Sequence, residues 1–272
     1  MPHRFVPFAV TIVVISFLAS CGPRPATGVT VPSTLITNVS LLDGSGGPAM
    51  RAAVRITSGR IVAVEPGGTG PRAGDRVVDG KGLTLAPGFI DTHSHADRSL
   101  LDGNDAIGAL NQGITTVVVG QDGESPYPLA DFFTKLRAAN PAINVASYVG
   151  HGTVRDRVLG ADYKRTATEA EVGRMRELVE QEMRAGALGL SSGLEYDPGI
   201  YSSHEELVEL AKATASLGGR YISHIRSEDR AFWSAIDEII DIGRQARLPV
   251  QVSHTKLAMK SLWGRGDSLI AL

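Results

Sequence analysis

Apolar, strand-like runs alternate with amphipathic, helix-like stretches from residue 87 onwards, and this alternation constrains the fold more than any other feature. The runs are "GFIDTH" (88–93), "ITTVVVG" (114–120), "INVASYVG" (143–150), "ALGLSSGL" (187–194), "RYISHIR" (220–226) and "PVQVSHTK" (249–256). Near-continuous apolar strands joined by helical crossovers indicate a parallel sheet that helices cover. The expected fold class is therefore α/β.

The length of this part of the chain indicates which α/β architecture it forms. A complete (β/α)₈ barrel takes about 250 residues, so six of its eight units would need roughly 190. Residues 87–272 match that length and contain six strand-like runs. We therefore expect an incomplete (β/α)₈ TIM barrel with six of its eight units. An open six-stranded sheet is the alternative.

Two predicted helices begin with capping-box patterns. Thr168 is followed by Glu171, and Ser203 by Glu206, the spacing at which a side-chain oxygen and a glutamate cap the first turn reciprocally. Gly218-Gly219 is expected to end the second of these helices, because glycine readily adopts the left-handed conformation of a helix C-terminus.

Residues 34–86 differ in pattern and predict a separate, small β-subdomain that precedes the barrel. Short alternating or apolar runs are interrupted there by glycine-rich turns, which is typical of hairpins. Ser58-Gly59 is the best turn candidate, since it separates "VRIT" from "RIVAV". Residues 21–33 are rich in proline, glycine and threonine and predict a linker.

The first 20 residues are typical of a bacterial lipoprotein signal peptide. Arg4 precedes the apolar run 8–17, and Leu18-Ala19-Ser20-Cys21 resembles a lipobox, in which the cysteine is lipidated. An ordinary cleaved signal with a chance cysteine is the alternative. Gly22 rather than aspartate follows the cysteine, which by resemblance favours a lipid anchor on the periplasmic face of the outer membrane. The expected location is the bacterial cell envelope.

Composition excludes two further possibilities. The formal net charge of −2 gives no electrostatic footprint for nucleic acid. Cys21 is the single cysteine, so the chain forms no intramolecular disulfide.

Four of the seven histidines lie at the carboxyl ends of predicted strands. His93 and His95 end the first strand, His224 ends the fifth and His254 the sixth. In a parallel barrel, the active site is built at that end. Neutral imidazoles that converge on one rim have few ways to satisfy their nitrogens without a cation. Metal binding is therefore favoured over four separate structural histidines.

An ordered set of motifs resembles the amidohydrolase superfamily, specifically the N-acyl-D-amino-acid deacylases (D-aminoacylases), from about Thr34 to the end of the chain. The motifs are "LAPGFIDTHSHAD", "GITTVVVGQDG", "GHGTVR", "GALGLSSGLEYDPG", "SHIRSE" and "VSHTKL". The resemblance implies a metal-dependent hydrolase with one or two divalent ions, zinc foremost. Its small-molecule substrate would be an N-acylated D-amino acid, split into a carboxylate and a free D-amino acid.

The resemblance also implies a set of metal ligands. His224 and His254 match the histidines that hold the tightly bound zinc, and His93 and His95 match the pair that faces the weaker position. Asp122, in "GQDG", stands where the family has a cysteine. A carboxylate is a harder ligand than a thiolate and shifts the preference toward harder metals. The alternative is that Asp122 lies outside the coordination shell.

Two other groups of the superfamily have no direct match in this sequence: the metal ligand on the fourth strand and the general base. Many members of the superfamily use a carboxylated lysine on the fourth strand, but "LGLSSGLEY" contains no lysine, as in the D-aminoacylases. Glu195 in that segment is a weaker candidate for a compensating carboxylate. The general base of the family is an aspartate after the eighth strand, which we expect beyond Leu272. Asp91 and Asp97 are not assumed to replace it, and Asp91 is expected to be structural.

Four residues match substrate-binding positions, each with a plainer alternative. Lys256 resembles the lysine that binds the free carboxylate, or is a solvated lysine at a strand end. Tyr196 matches a tyrosine that contacts substrate, or packs. His151 lines the pocket, or makes an orienting hydrogen bond. Arg226 contacts substrate, or forms an ion pair with a nearby carboxylate.

Two other functions are kept as alternatives. One is a cyclic-amide hydrolase of the dihydroorotase or hydantoinase type, although those enzymes usually carry the fourth-strand lysine. The other is an inactive, C-terminally truncated fragment that lacks the catalytic base and exposes unpaired strand edges.

Overall fold

The computed structural model describes residues 32–102 and 106–271. The predicted signal peptide (residues 1–20) and the predicted lipidation site Cys21 lie outside the described residues. The chain divides between Pro87 and Gly88 into two compact units. Within the described ranges, every helix is too short or too polar to span a membrane.

The first unit is a five-stranded sheet in the order β3-β2-β1-β4, with β5 also paired to β1. Its strands are β1 (Ser33–Leu41), β2 (Met50–Thr57), β3 (Arg60–Pro66), β4 (Asp75–Asp79) and β5 (Thr84–Leu85). The predicted turn between β2 and β3 is confirmed, since Ser58 and Gly59 have φ angles of +49° and +73°. Two successive positive φ angles are typical of a type I′ turn, whose twist matches a hairpin.

The prediction that this unit is made of hairpins is wrong for its last two strands. β1, β2 and β3 pair antiparallel, but β4 and β5 both run parallel to β1. An ion pair explains the position of β4. Asp75, at its start, accepts hydrogen bonds from Arg55 of β2 and from Ser33 of β1. The bond from Arg55 holds the pKa of Asp75 well below its usual range.

The second unit contains parallel strands in chain order. They are β6 (Phe89–Asp91), β7 (Ile114–Val119), β8 (Asn144–Ser147), β9 (Val149–Gly150), β10 (Gly189–Gly193), β11 (Arg220–His224) and β12 (Val250–Val252). One sheet has the order β6-β7-β8 and the other β12-β11-β10-β9. β8 and β9 belong to one predicted run, which is interrupted at Tyr148, so each of the six runs contains a strand.

Helices connect these strands and pack on them. They are α1 (Ile107–Leu110), α2 (Leu129–Ala139), α3 (His151–Leu159), α4 (Glu169–Arg184), α5 (His204–Ser216), α6 (Phe232–Ala246) and α7 (Gly266–Ile270). Met175 of α4 and Ile242 of α6 are fully buried in the same apolar cluster as Val119 and Leu190 of the strands. The expected α/β class is thereby confirmed, because the crossovers between parallel strands are helical.

The two predicted capping boxes have different outcomes. At α4, Thr168 and Glu171 form both hydrogen bonds of the box, as predicted. At α5, Ser203 accepts from the backbone of Glu206, but the reciprocal bond is missing. That part of the prediction is wrong because the Glu206 carboxylate is engaged by the buried side chains of His151 and Arg155 instead. The predicted end of α5 is confirmed, with Gly218 at a φ angle of +76°.

The Glu206 carboxylate joins α5 to α3 through a buried network. Its Oε1 lies 2.8 Å from His151 Nε2, and its Oε2 accepts a hydrogen bond from Arg155. Arg155 is fully buried, and it also donates to the backbone oxygens of Tyr163 and Tyr201 at 3.2 and 3.4 Å. A buried guanidinium needs such partners, because an uncompensated charge is costly away from water.

We predict that Glu206→Ala lowers the free energy of unfolding by about 3–5 kcal/mol, because it leaves Arg155 buried without its counter-charge. Urea denaturation followed by circular dichroism measures this change. Glu209→Ala on the same helix is the control. Its exposed pair with Lys212 should contribute less than about 1 kcal/mol. Equal losses in the two variants would contradict the prediction.

Candidate metal centre

The ends of three parallel strands bring the predicted histidines together, and a fourth strand adds Asp122. His93 and His95 follow β6, His224 is the last residue of β11, and His254 lies two residues after β12. Asp122 follows β7 in a turn with a φ angle of +54°. β6 pairs with β7 in one sheet and β11 with β12 in the other, and within each pair the parallel strands end at the same edge. The five side chains meet where these strand ends lie.

Asp122 contacts the first pair of histidines. Its Oδ2 lies 3.4 Å from His93 Nε2 and 3.3 Å from His95 Nε2. Burial raises the pKa of the Asp122 carboxyl, but the hydrogen bond with His93 and the electrostatic interactions with the nearby imidazoles outweigh this effect, so the pKa is lower than usual. The loop approaches closely because Gly193 of β10 has no side chain. A Cβ there would lie 2.2 Å from the Asp122 carbonyl oxygen.

His224 and His254 face each other edge to face, with ring centroids 4.5 Å apart. The inner nitrogens, His224 Nδ1 and His254 Nε2, are 3.0 Å apart. Each outer nitrogen contacts a carboxylate: His224 Nε2 lies within hydrogen-bond distance of Glu195 Oε2, at 3.1 Å, and His254 Nδ1 is in ion-pair contact with Glu228 Oε1, although neither atom of this second pair makes a hydrogen bond among the described residues. A carboxylate favours the proton on the ring nitrogen that it contacts.

Where both outer nitrogens carry the ring protons, the two inner nitrogens offer lone pairs 3.0 Å apart; where one inner nitrogen carries its proton, the pair is a hydrogen bond. The hydroxyl of Tyr196 lies 2.9 Å from His224 Nδ1 and can donate to it. In the first tautomer the lone pair of His254 Nε2 meets no donor among the described residues, and a cation would satisfy it. This is the same lone-pair arrangement that ligating histidines adopt when carboxylates hold their outer nitrogens.

Buried side-chain atoms that lack hydrogen-bond partners indicate that a metal ion would fit among these residues. His93 Nδ1 and Asp122 Oδ1 are both buried, and neither has a hydrogen-bond partner among the described residues. Donor atoms of His93, Asp122 and His254 lie within 4.8 Å of one another, a span that one ion can bridge. Imidazole and carboxylate ligands suit zinc and the other first-row divalent metals.

Sequence analysis missed Glu228. Its carboxylate is only 8% exposed and contacts His254 and Lys256, with His224 Nε2 at 3.9 Å. Distance alone would also group it with His224 and His254 as a third ligand. We favour an orienting role, because Glu228 contacts the outer nitrogen of His254 rather than the inner one. An acid four residues after His224 in "SHIRSE" was the available signal.

Two predicted substrate-binding residues lie beside the histidines. Lys256 Nζ is 2.6 Å from Glu228 Oε2, and its side chain remains 55% exposed. Tyr196 lines a cavity of about 650 Å³ together with His95 and Asp122. Burial raises the pKa of the Tyr196 hydroxyl, so it stays protonated near neutral pH and is available as a donor.

The other two are not brought to the site. His151 is fully buried and does not line the cavity; it makes the orienting contact with Glu206 that was its alternative. Arg226 forms a two-pronged ion pair with Glu238, with contacts of 2.8 and 2.9 Å, which was also its alternative. Asp91 accepts a 3.3 Å hydrogen bond from the His93 backbone, a structural contact.

Residues 76–263 match the model of the amidohydrolase family. The chain is 36% identical over 261 residues to a D-aminoacylase of Alcaligenes xylosoxydans xylosoxydans, which covers 88% of this chain and 53% of the relative. The chain thus spans about half the length of the curated relatives it matches.

Solved structures show the same likeness. A D-aminoacylase described as having a binuclear metal centre has a TM-score of 0.81 and 33% identity over 88% of this chain and 54% of its own. An N-acyl-D-glutamate deacylase from Bordetella bronchiseptica, complexed with zinc and a phosphonate inhibitor, has a TM-score of 0.81 and 35% identity over the same shares. An L-hydantoinase from Arthrobacter aurescens, with a TM-score of 0.52 and 18% identity over 80% of this chain and 52% of its own, shares the fold.

We predict that His254→Ala weakens zinc binding more than about 100-fold. Loss of a carboxylate that only orients a ligand typically lowers metal affinity 10–100-fold, and this substitution removes a proposed ligand nitrogen itself. Competition with a chromogenic chelator measures the affinity. His204→Ala is the matched control, because His204 lies outside the site and its Nε2 contacts Asp241 Oδ2 at 2.8 Å. Equal zinc affinity in the wild type and His254→Ala would contradict the assignment.

Proposed function

Because the chain belongs to the amidohydrolase family, we propose that the protein is a metal-dependent hydrolase of N-acyl-D-amino acids. It would cleave the linear amide bond and release a carboxylate and a free D-amino acid. The observation that carries the proposal is the cluster of His224 and His254 with Lys256 next to it, a metal centre beside a cation for a free carboxylate. The likeness to D-aminoacylase and to N-acyl-D-glutamate deacylase supports the choice of substrate.

The architecture that we propose for the second unit is the first six units of a (β/α)₈ barrel. Its parallel strands follow each other in chain order, and helices form the crossovers, as in such barrels. Solved D-aminoacylase structures are similar to this chain at TM-scores of about 0.8. The metal centre would then lie at the carboxyl-terminal face of the barrel, where barrel enzymes place their active sites.

The proposed ligands divide into two groups around Asp122. His224 and His254 would hold one ion with their inner nitrogens, and His93 and His95 face a second position across Asp122. One or two zinc ions fit this set of donors. When bound, such an ion polarises a carbonyl oxygen and lowers the pKa of water from 15.7 to about 7.

The chain's own residues would bind and orient the substrate. Lys256 would take the free carboxylate, since its exposed ammonium lies beside the metal centre. The Tyr196 hydroxyl would donate a hydrogen bond at the edge of the adjoining cavity. Asp122, Glu195 and Glu228 each contact a histidine, so none of them is assigned as the general base. By resemblance to the family, that base would be an aspartate after an eighth strand, and the activity is proposed for the whole protein.

A cyclic-amide hydrolase is the less supported alternative. β10 reads "GLSSG" and offers no lysine for carboxylation. The likeness to a hydantoinase is 18% in identity and concerns the fold alone. A lipid anchor at Cys21 and a place in the cell envelope remain proposals that rest on the lipobox-like pattern.

Substrate turnover tests the proposed function. The purified, zinc-loaded protein should hydrolyse N-acetyl-D-amino acids in preference to the L-enantiomers and to cyclic amides. Lys256→Met should raise KM by about tenfold or more, because a charge-assisted contact with the carboxylate is lost. Lys260→Met, at an exposed lysine nearby, is the control. Turnover of cyclic amides only would reject the deacylase assignment.

The metal preference tests the role of Asp122. Asp122→Cys should raise the affinity for zinc relative to manganese, because a thiolate is a softer ligand than a carboxylate. Competition titrations with both metals measure the ratio. The same substitution at Asp97, which lies near His95 in sequence, should leave the ratio unchanged. An unchanged ratio in Asp122→Cys would place Asp122 outside the coordination shell.

A further inference from the structure

We propose that Glu228 is a shared positioning residue, which orients the metal ligand His254 and places the substrate-binding Lys256. The inference rests on the proposed function, since it assigns a second role within the same site. Glu228 has neither a family-based assignment from the sequence nor a place in the proposed chemistry.

The contacts of its two carboxylate oxygens carry the inference. Oε1 is in ion-pair contact with His254 Nδ1, and Oε2 lies 2.6 Å from Lys256 Nζ. One buried carboxylate thus contacts two side chains that extend from the same strand end, two residues apart. A change at Glu228 would therefore affect metal binding and substrate binding together.

The backbone holds Glu228 firmly in this position. Its N–H donates to Glu195 Oε1 at 2.9 Å, and its carbonyl oxygen accepts from the Ala258 N–H at 2.9 Å. Glu195 in turn reaches the outer nitrogen of His224 at 3.1 Å. The carboxylates that contact the outer nitrogens of His224 and His254 are therefore connected to each other through the Glu228 backbone. Of the two, Glu228 is the buried one.

The effect on His254 follows from the ring orientation that this contact holds. With Glu228 against Nδ1, the ring directs Nε2 toward His224 Nδ1, so that a metal bound at Nε2 would leave the ring proton on Nδ1. Without the charge of Glu228, the contact that holds the ring in this orientation is lost. Orienting carboxylates of this kind typically contribute 10–100-fold in metal affinity.

The effect on Lys256 follows from its length and exposure. A lysine side chain has a flexible four-carbon stem, and it loses much rotamer freedom when it is held in one place. Lys256 is more than half exposed, so Glu228 is the contact that confines its ammonium beside the metal centre. Substrate carboxylate would then meet an ammonium that is already in position.

Zinc affinity and ring protonation test the proposal. Glu228→Gln, which keeps the shape and removes the charge, should weaken zinc binding 10–100-fold in a chelator competition. Asp241→Asn is the matched control, because it removes a carboxylate from another histidine, His204, outside the site, and should leave zinc affinity unchanged. In zinc-loaded Glu228→Gln, KM for an N-acetyl-D-amino acid should rise by about tenfold.

A measurement on the wild type does not depend on whether the variant folds. Nitrogen-15 NMR of the zinc-loaded protein should show His254 protonated at Nδ1. A proton on Nε2, or a Glu228→Gln variant that folds and binds zinc as the wild type does, would overturn the proposal while leaving the proposed function standing. Absence of zinc binding in the wild type would instead remove the proposed function and this inference with it.

Discussion

The approach of His224 to His254 is the interaction on which the rest of the site depends. Their inner nitrogens are 3.0 Å apart, and each outer nitrogen contacts a carboxylate. With the ring protons on the outer nitrogens, two lone pairs would face each other, which is unfavourable unless a positive charge lies between or beside them. The protein maintains this arrangement inside a buried framework, which is the physical basis for regarding the cluster as a metal centre rather than as four structural histidines.

Register between neighbouring strands produces that approach. Gly193 of β10 is paired with His224 of β11, and Ser223 is paired with Val252 of β12. The strand ends are therefore level, and the side chains just beyond them converge. Gly193 adds a second condition, because the absence of a side chain there lets the Asp122 loop come within van der Waals distance. The site is a consequence of sheet geometry at least as much as of the residues that line it.

Two of the polar networks in the second unit are separate from each other. Glu228 and Glu195 hold the histidines of the metal centre, whereas Glu206 holds His151 and Arg155 between two helices. The separation explains why some predicted site residues lie elsewhere. His151 contacts the buried carboxylate of Glu206, and Arg226 forms an ion pair with Glu238 on α6. These contacts hold both side chains away from the proposed substrate-binding residues.

The sequence by itself determined the α/β class of the second unit with its parallel strands, the helix caps at Thr168 and Gly218, and the convergence of His93, His95, His224 and His254. These features follow from local patterns and from the rule that parallel strands share their carboxyl ends. Tertiary structure alone decided the partners of the acids. Glu206 matched a capping box in sequence yet pairs with Arg155, and Glu228 showed no periodic signal yet lies among the ligands. β4 pairs parallel to β1, and its first residue, Asp75, meets Arg55, 20 residues away. Such choices depend on which charges are buried together, and the spacing of residues along the chain does not contain that information.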